Sequence, residues 1–132
     1  MTLPDDLLGC AERIALTPPT DDALHRAVTS RAYYAAFHAA RLFHNSLATP
    51  GHVGAANGVH EQLIAQLSNP GLSPKNQRHT LSKTIGRLMR GILAMRVDAD
   101  YQLDQPCLKA FEALELARQI VQSAKNGSPP AQ

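Results

Sequence analysis

The stretch that decides the fold is Ser30-Arg31-Ala32-Tyr33-Tyr34-Ala35-Ala36-Phe37-His38-Ala39-Ala40-Arg41. It belongs to a long helical pattern that starts after the capping sequence Thr20-Asp21-Asp22 and runs to about Ala48. This pattern is apolar on nearly every side, and such a helix is normally the central, buried helix of its domain. We therefore predict that the other elements pack around this segment.

Arg31 and His38 stand out in the segment because they are polar and share one helix face. They are seven residues apart, nearly two helical turns, which separates them by about 10 Å along the axis. The residues that continue this face are mostly apolar: Leu24, Val28, Ala35, Leu42 and Asn45. An unpaired charge buried among such residues is costly, so we expect Arg31 and His38 to have partners or a chemical role.

The residues alone leave two interpretations of this pair open. In the architectural interpretation, an aspartate forms a buried ion pair with Arg31, and a tyrosine hydroxyl forms a hydrogen bond with His38. The candidate partners are Asp98, Asp100, Tyr34 and Tyr101. In the chemical one, the histidine transfers a proton, since it titrates near neutrality, and the arginine binds phosphate oxygens.

The rest of the chain predicts further helices and no strand. The first begins at Pro4-Asp5-Asp6 and ends before Thr17-Pro18-Pro19, the third runs from about Val59 to Leu67, and the fourth from about Lys75 to Ala99. The last helix has Pro106 in its first turn and apolar residues at helical spacing: Leu108, Phe111, Leu114, Ala117 and Val121. The predicted fold is all-α, an up-down bundle of four to five helices. Residues 1–125 form one domain and 126–132 a disordered tail.

Composition narrows the possible functions. No apolar run approaches the length of a membrane span and no basic, then apolar leader is evident, so we expect a cytoplasmic protein without membrane contact. Cys10 and Cys107 lack metal-ligand spacing and are expected to pack structurally. We predict no metal and no cofactor, because the histidines lack a shared ligand pattern and no phosphate-binding glycine loop is present.

A stripe of positive charge marks the fourth helix. No acidic residue occurs between Glu61 and Asp98, whereas solvated helix faces normally mix both signs. The stripe consists of Lys75, Arg78, Lys83, Arg87 and Arg90. A plain solvated face remains one interpretation, and binding of nucleic acid is the other. Because the stripe contains no aromatic residue, its contacts would be to phosphate and carry little sequence information.

Three motifs carry a resemblance to a known family. The segment from Ser30 to Ala40 resembles the signature helix of HEPN domains, in a branch of small prokaryotic helical proteins. His60 opens the third helix after a glycine-containing loop, where such proteins place a histidine. Arg96-Val97-Asp98-Ala99-Asp100-Tyr101 is similar to the arginine-x-x-alanine-aspartate-tyrosine ending of the family's next long helix. The resemblance covers about Thr29 to Tyr101.

The resemblance implies a helical bundle that forms a homodimer through its long helices. Many HEPN proteins are metal-independent ribonucleases of toxin–antitoxin, CRISPR-linked or antiphage systems, whose active site is an arginine, four to six residues and a histidine. Arg31 and His38 enclose six residues, so the resemblance implies that they are catalytic. The RNA 2′-hydroxyl would attack the adjacent phosphate while the pair handles proton and charge. Supporting residues would be Tyr34, His60, Arg96, Asp100 and Tyr101.

Two departures from the family pattern keep a second function open. Ala32 follows the arginine, where active toxins commonly have a polar residue. Ala40 occupies the position of a tyrosine that receives AMP in the branch paired with a nucleotidyltransferase. The first function is therefore an endoribonuclease of a toxin–antitoxin or defence module, with RNA as substrate and an antitoxin as possible partner. The alternative is a non-catalytic HEPN binding module that engages nucleotide, RNA or a nucleotidyltransferase.

Overall fold

The computed structural model describes residues 1–16 and 21–127, which form five α-helices and no strand. The helices are α1 (Pro4–Ala15), α2 (Asp22–Asn45), α3 (Val59–Ser68), α4 (Gln77–Tyr101) and α5 (Ala110–Gly127). The prediction of an all-α bundle is confirmed. The predicted turn at Thr17-Pro18-Pro19 and most of the predicted tail lie outside the described residues, although α5 continues through Gly127. No helix within the described ranges has the length and apolarity needed to cross a membrane.

The central helix is α2, as the sequence predicted. It packs against α1, α4 and α5, and Val28, Tyr33 and Phe43 on it are completely buried. The Asp21 carboxylate caps its first turn by accepting a hydrogen bond from the Leu24 amide, 2.8 Å away. The helix ends at Asn45 rather than Ala48.

Helices α3 and α4 form a closely packed pair. On α4, Ile85, Met89 and Ile92 are completely buried in the core. Gly86 lies where the two helices meet, and a Cβ atom there would be 2.8 Å from the Ser68 side-chain oxygen. The Ser82 hydroxyl also donates a 2.8 Å hydrogen bond to the Leu67 carbonyl. These contacts hold the end of α3 against α4, and the ion pair between Glu61 and Arg90 joins the start of α3, where His60 lies, to the same helix.

The start of α5 was predicted wrongly. The helix begins at Ala110, so Pro106 lies before it, and Leu108 and Phe111 are 81% and 62% exposed rather than buried. The backbone of residues 102–109 is bound from α2 instead. Arg26 donates to the carbonyl of Gln105 and to that of Ala99 in the last turn of α4, and Asp22 accepts from the Cys107 amide at 2.7 Å. These tertiary hydrogen bonds hold the segment outside helical geometry, which no local pattern encodes.

Candidate functional site

Arg31 is exposed to solvent, although the sequence predicted a buried arginine. Its neighbours on the same face, Val28 and Ala35, are completely buried. Arg31 forms no hydrogen bond or ion pair with any residue in the described ranges, and the expected ion pair with Asp100 or Asp98 is absent there. The helical pattern gave the direction of the face correctly, but it could not show that packing leaves this turn of α2 uncovered. The guanidinium is therefore available to an external anion.

His38 is half-buried on the same face. Its ring lies 5.4 Å from the Phe37 ring and 6.5 Å from the Tyr34 ring. Arg41 Nη2 is 3.2 Å from His38 Nδ1, and because arginine has no acceptor, Nδ1 accepts this hydrogen bond. The described partner is thus an arginine and not the tyrosine hydroxyl that the sequence suggested.

Burial and Arg41 together hold His38 neutral. Desolvation lowers the pKa of His38 from its ordinary value, and the positive charge of Arg41 lowers the pKa further. A neutral imidazole at neutral pH is the form that can accept a proton. The pair that the sequence selected therefore combines an unpaired cation with a neutral base.

Arg96 forms the centre of a second group of residues. Its Nε lies 2.8 Å from Asp100 Oδ2, but the N–H is not aligned for a hydrogen bond, so the contact is an ion pair. The guanidinium carbon is 5.7 Å from the ring centres of Tyr34 and Tyr101 and 5.8 Å from that of Tyr33. These distances are within the range of cation–π contacts. We call Tyr33, Tyr34, His60, Arg96, Asp100 and Tyr101 the Arg96 cluster.

His60 joins this cluster from the start of α3. The Tyr33 hydroxyl lies 2.6 Å from His60 Nδ1, and burial raises the pKa of Tyr33, so that the hydroxyl keeps its proton. We assign Tyr33 as the donor and Nδ1 as the acceptor, since His60, with its lowered pKa, has an unprotonated ring nitrogen. Desolvation lowers the pKa of His60, Arg96 lowers it further and Glu61 opposes the shift. All five residues that the sequence suggested as supporting the site therefore lie in one cluster with Tyr33.

Tyr34 connects the cluster with the Arg31–His38 face. It is three residues after Arg31 and four before His38 on α2, the spacings at which helical side chains are neighbours. Its ring contacts both the His38 ring and the Arg96 guanidinium, and Arg96 Nη2 donates a weak 3.4 Å hydrogen bond to its hydroxyl. The Arg96 cluster therefore forms one side of the candidate site.

The positive stripe is largely open, and Lys75 lies just before α4, which begins at Gln77 rather than at Lys75 as predicted. Lys75, Lys83, Arg87 and Arg90 are exposed and Arg78 is partly so. Arg90 forms an ion pair with Glu61 at 2.8 Å, whereas Lys83 and Arg87 bind no other residue of the described ranges and line a shallow groove with Thr80 and Thr84. The stripe offers free cations, as an anion-binding surface requires.

Sequence reasoning missed the roles of Arg41 and Tyr33 in the site. Arg41 closes the segment quoted first and lies three residues after His38, a spacing that brings helical side chains together. That signal was present in the sequence. Tyr33 could not have been paired with His60, because their contact joins residues 27 positions apart.

The described residues contain no group of three histidine, cysteine or carboxylate side chains that could hold a metal ion. Cys10 and Cys107 are half-buried free thiols. Comparisons with protein-family models, with curated proteins and with solved structures found no match for this chain.

Proposed function

We propose that this protein is a metal-independent endoribonuclease of the HEPN type, with Arg31 and His38 as its catalytic residues. One observation carries the proposal: an exposed arginine without a described partner shares a helix face with a half-buried histidine whose pKa is lowered. The sequence motifs that resemble HEPN domains support the same residues. The exposure of Arg31 also argues against a purely architectural ion pair.

The chemistry follows from the two side chains. The 2′-hydroxyl oxygen attacks the adjacent phosphorus, and its proton passes to neutral His38. The bond from phosphorus to the 5′-oxygen breaks, leaving a 2′,3′-cyclic phosphate and a 5′-hydroxyl, whose proton comes from a second acid or from water. Arg31 stabilises the negative charge that builds up on the phosphorane oxygens.

Arg41 has to move for this reaction, because its hydrogen bond occupies His38 Nδ1. A substrate phosphate attracts the Arg41 guanidinium and frees the Nδ1 lone pair for the proton. In a homodimer, which the HEPN resemblance implies, two Arg31–His38 faces meet in one cleft. The second histidine can then protonate the leaving oxygen, provided that the substrate phosphate beside it raises its pKa and it takes up a proton. We place this activity in a cytoplasmic toxin–antitoxin or antiphage module.

A binding module without catalysis is the second candidate. The observation that favours it is the Arg41–His38 hydrogen bond, which leaves Nδ1 occupied. In that case the free cations Lys83 and Arg87 and the Arg31–His38 face bind nucleotide, RNA or a partner nucleotidyltransferase, and no bond is cut.

Cleavage of total RNA and transfer RNA in EDTA separates the two functions. We expect the wild-type protein to cleave and His38→Ala to be inactive. His52→Ala is the matched control, since His52 is an exposed histidine of the loop before α3; purified in parallel, it should cleave like wild type. Circular dichroism and gel filtration establish that all three proteins are equally folded and assembled. If neither wild type nor His52→Ala cleaves, or if His38→Ala cleaves equally, the ribonuclease proposal is wrong.

A further inference from the structure

A cleft lies beside His38 on the side of the N-terminal segment. It has a volume of about 420 Å³, and His38 and Arg41 lie on its polar wall. The rest of the lining is mostly apolar: Leu3 and Leu7 come from the N-terminal segment and α1, and Leu42 follows Arg41 on α2. This volume falls within the range of small-molecule sites, which combine an apolar lining with a few polar groups.

The polar and the apolar residues of this lining together match one kind of ligand. Arg41 is exposed, and its guanidinium lies beside the imidazole of His38 and 5.3 Å from the Phe37 ring centre. Leu3 and Leu42 are 49% and 57% exposed, which leaves apolar surface within reach of these polar groups. A molecule with an anion at one end and a flat apolar body at the other can bind Arg41 with its anion and pack its body on the leucines.

We propose that this cleft is the subsite for one nucleotide of the RNA substrate, next to the phosphate that is cut. Arg41 binds the phosphate of that nucleotide through its guanidinium, and the base packs on Leu3 and Leu42. The proposal rests on the proposed ribonuclease function for its substrate class. It adds Arg41 to the residues that bind substrate. Three side chains of α2 then contact the RNA one after another, in the order Arg31, His38 and Arg41.

The order also explains how binding and catalysis are coupled. Arg41 reaches His38 Nδ1 in the free protein, and its charge helps lower the pKa of His38. A nucleotide phosphate in the subsite draws Arg41 away from His38, and this movement frees the lone pair of Nδ1. The lone pair is therefore free only when the subsite is filled. RNA that leaves the cleft empty is then a poor substrate, because the base remains blocked.

Binding of AMP tests the subsite without requiring cleavage. We titrate AMP, adenosine and inorganic phosphate into the protein and follow the His38 ring signals by NMR. AMP should bind more tightly than either fragment. Arg41→Gln should weaken AMP binding about 10- to 100-fold, the effect of losing one hydrogen bond to a charged group. Leu42→Ser should weaken binding of AMP but not of phosphate.

The control variant is Lys109→Gln, which removes one exposed positive charge beside a different cleft and should bind AMP like wild type. The subsite is overturned if wild type shows no AMP binding at the His38 signals, or if Arg41→Gln binds AMP unchanged. A partner peptide rather than a nucleotide as occupant would show as Leu42-dependent binding that ignores Arg41, and would also overturn it.

A non-cleavable 2′-O-methyl trinucleotide distinguishes an RNA subsite from a site for free nucleotides. We expect the trinucleotide to compete with AMP, and Arg41→Gln to raise the KM for RNA cleavage about tenfold or more. AMP binding without competition by the trinucleotide contradicts the RNA subsite. The proposed function can fail while the subsite stands. If the protein cuts no RNA but the trinucleotide still competes with AMP in an Arg41-dependent way, the ribonuclease proposal is wrong and the subsite is an RNA-binding element.

Discussion

Arg96 Nε lies 2.8 Å from Asp100 Oδ2, one helical turn along α4. Asp100 therefore balances the charge of Arg96 and not that of Arg31, which is exposed on α2. Both side chains of the pair are mostly buried, at 17% and 27% exposure. The ion pair that the sequence suggested between α2 and α4 is replaced by one within α4, and Arg31 has no ion-pair partner among the described residues.

Arg31 and Arg96 should respond oppositely to the same substitution. Arg96→Met should lower the free energy of unfolding by about 2–4 kcal/mol. The substitution leaves the largely buried carboxylate of Asp100 without its ion-pair partner and removes the cation–π contacts to three tyrosine rings. Arg31→Met should change it by less than about 0.5 kcal/mol, as is usual for exposed positions, while abolishing RNA cleavage. Urea unfolding and the cleavage assay measure both. A large stability loss in Arg31→Met would mean that Arg31 has an architectural role.

Stability should fall as the pH drops below the ordinary histidine pKa of 6.5. His44 is 7% exposed, burial lowers its pKa, and its Nε2 accepts a hydrogen bond from the Gly51 amide at 3.0 Å. The folded state then binds fewer protons than the unfolded state, so each such histidine adds a slope of at most about 1.4 kcal/mol per pH unit. His38 and His60 act in the same direction.

Urea unfolding between pH 5 and 7.5 measures that slope. His44→Gln keeps an acceptor for the Gly51 amide and removes the titration, so its unfolding free energy should vary less with pH than that of wild type. The exposed His52 gives the matched control, His52→Ala, which should keep the wild-type slope. Equal slopes in all three proteins would exclude His44 as a source of the pH dependence.

Tyr33→Phe should lower the free energy of unfolding by about 1–3 kcal/mol, because it leaves Nδ1 of the half-buried His60 without its donor. Tyr33 itself is completely buried. The pKa of His60 should rise, since a hydrogen bond that favours the neutral ring is lost. Chemical denaturation and NMR titration of His60 measure the two effects. Tyr34→Phe, which loses only a 3.4 Å contact, is the control, and equal losses in both variants would contradict the assigned donor.

Arg26→Met should loosen the segment between α4 and α5. Arg26 is nearly buried, at 12% exposure, and its nitrogen atoms bind the carbonyls of Ala99 and Gln105 and the carboxylate of Asp22. The expected cost is about 2–3 kcal/mol. Hydrogen exchange should accelerate first in residues 102–109, and Lys109→Gln should leave the exchange unchanged. Uniform exchange rates across wild type and Arg26→Met would show that other contacts hold the segment.

Charge reversal of the positive stripe should weaken RNA binding in a salt-dependent way. Lys83→Glu, Arg87→Glu and Arg90→Glu together remove up to three phosphate contacts, so the slope of log K against log salt should shrink by about 2 for single-stranded RNA. Arg90 contributes least if its exposed ion pair with Glu61 persists in the complex. Filter binding at several salt concentrations measures the slope. An unchanged affinity and slope would rule the stripe out as an RNA surface.

The candidate site could be predicted in part from particular residues. Arg31 and His38 share a face because seven residues make nearly two helical turns, and that statement needs no tertiary information. The five supporting residues came from motif resemblance, and the structure brings them into contact. The wrong expectations concern burial and partners, as for Arg31 and for the segment before α5, because both depend on which other element covers a surface.

The sequence by itself determined that the protein is helical, that α2 is its centre and that Arg31 and His38 point the same way. Periodicity and capping are local, so they are encoded within a few turns of chain. Only the tertiary structure decided that Arg31 faces solvent, that Asp100 pairs with Arg96, and that the N-terminal segment forms a cleft beside His38. These relationships arise where distant segments pack against one another, and the order of residues along one helix does not specify them.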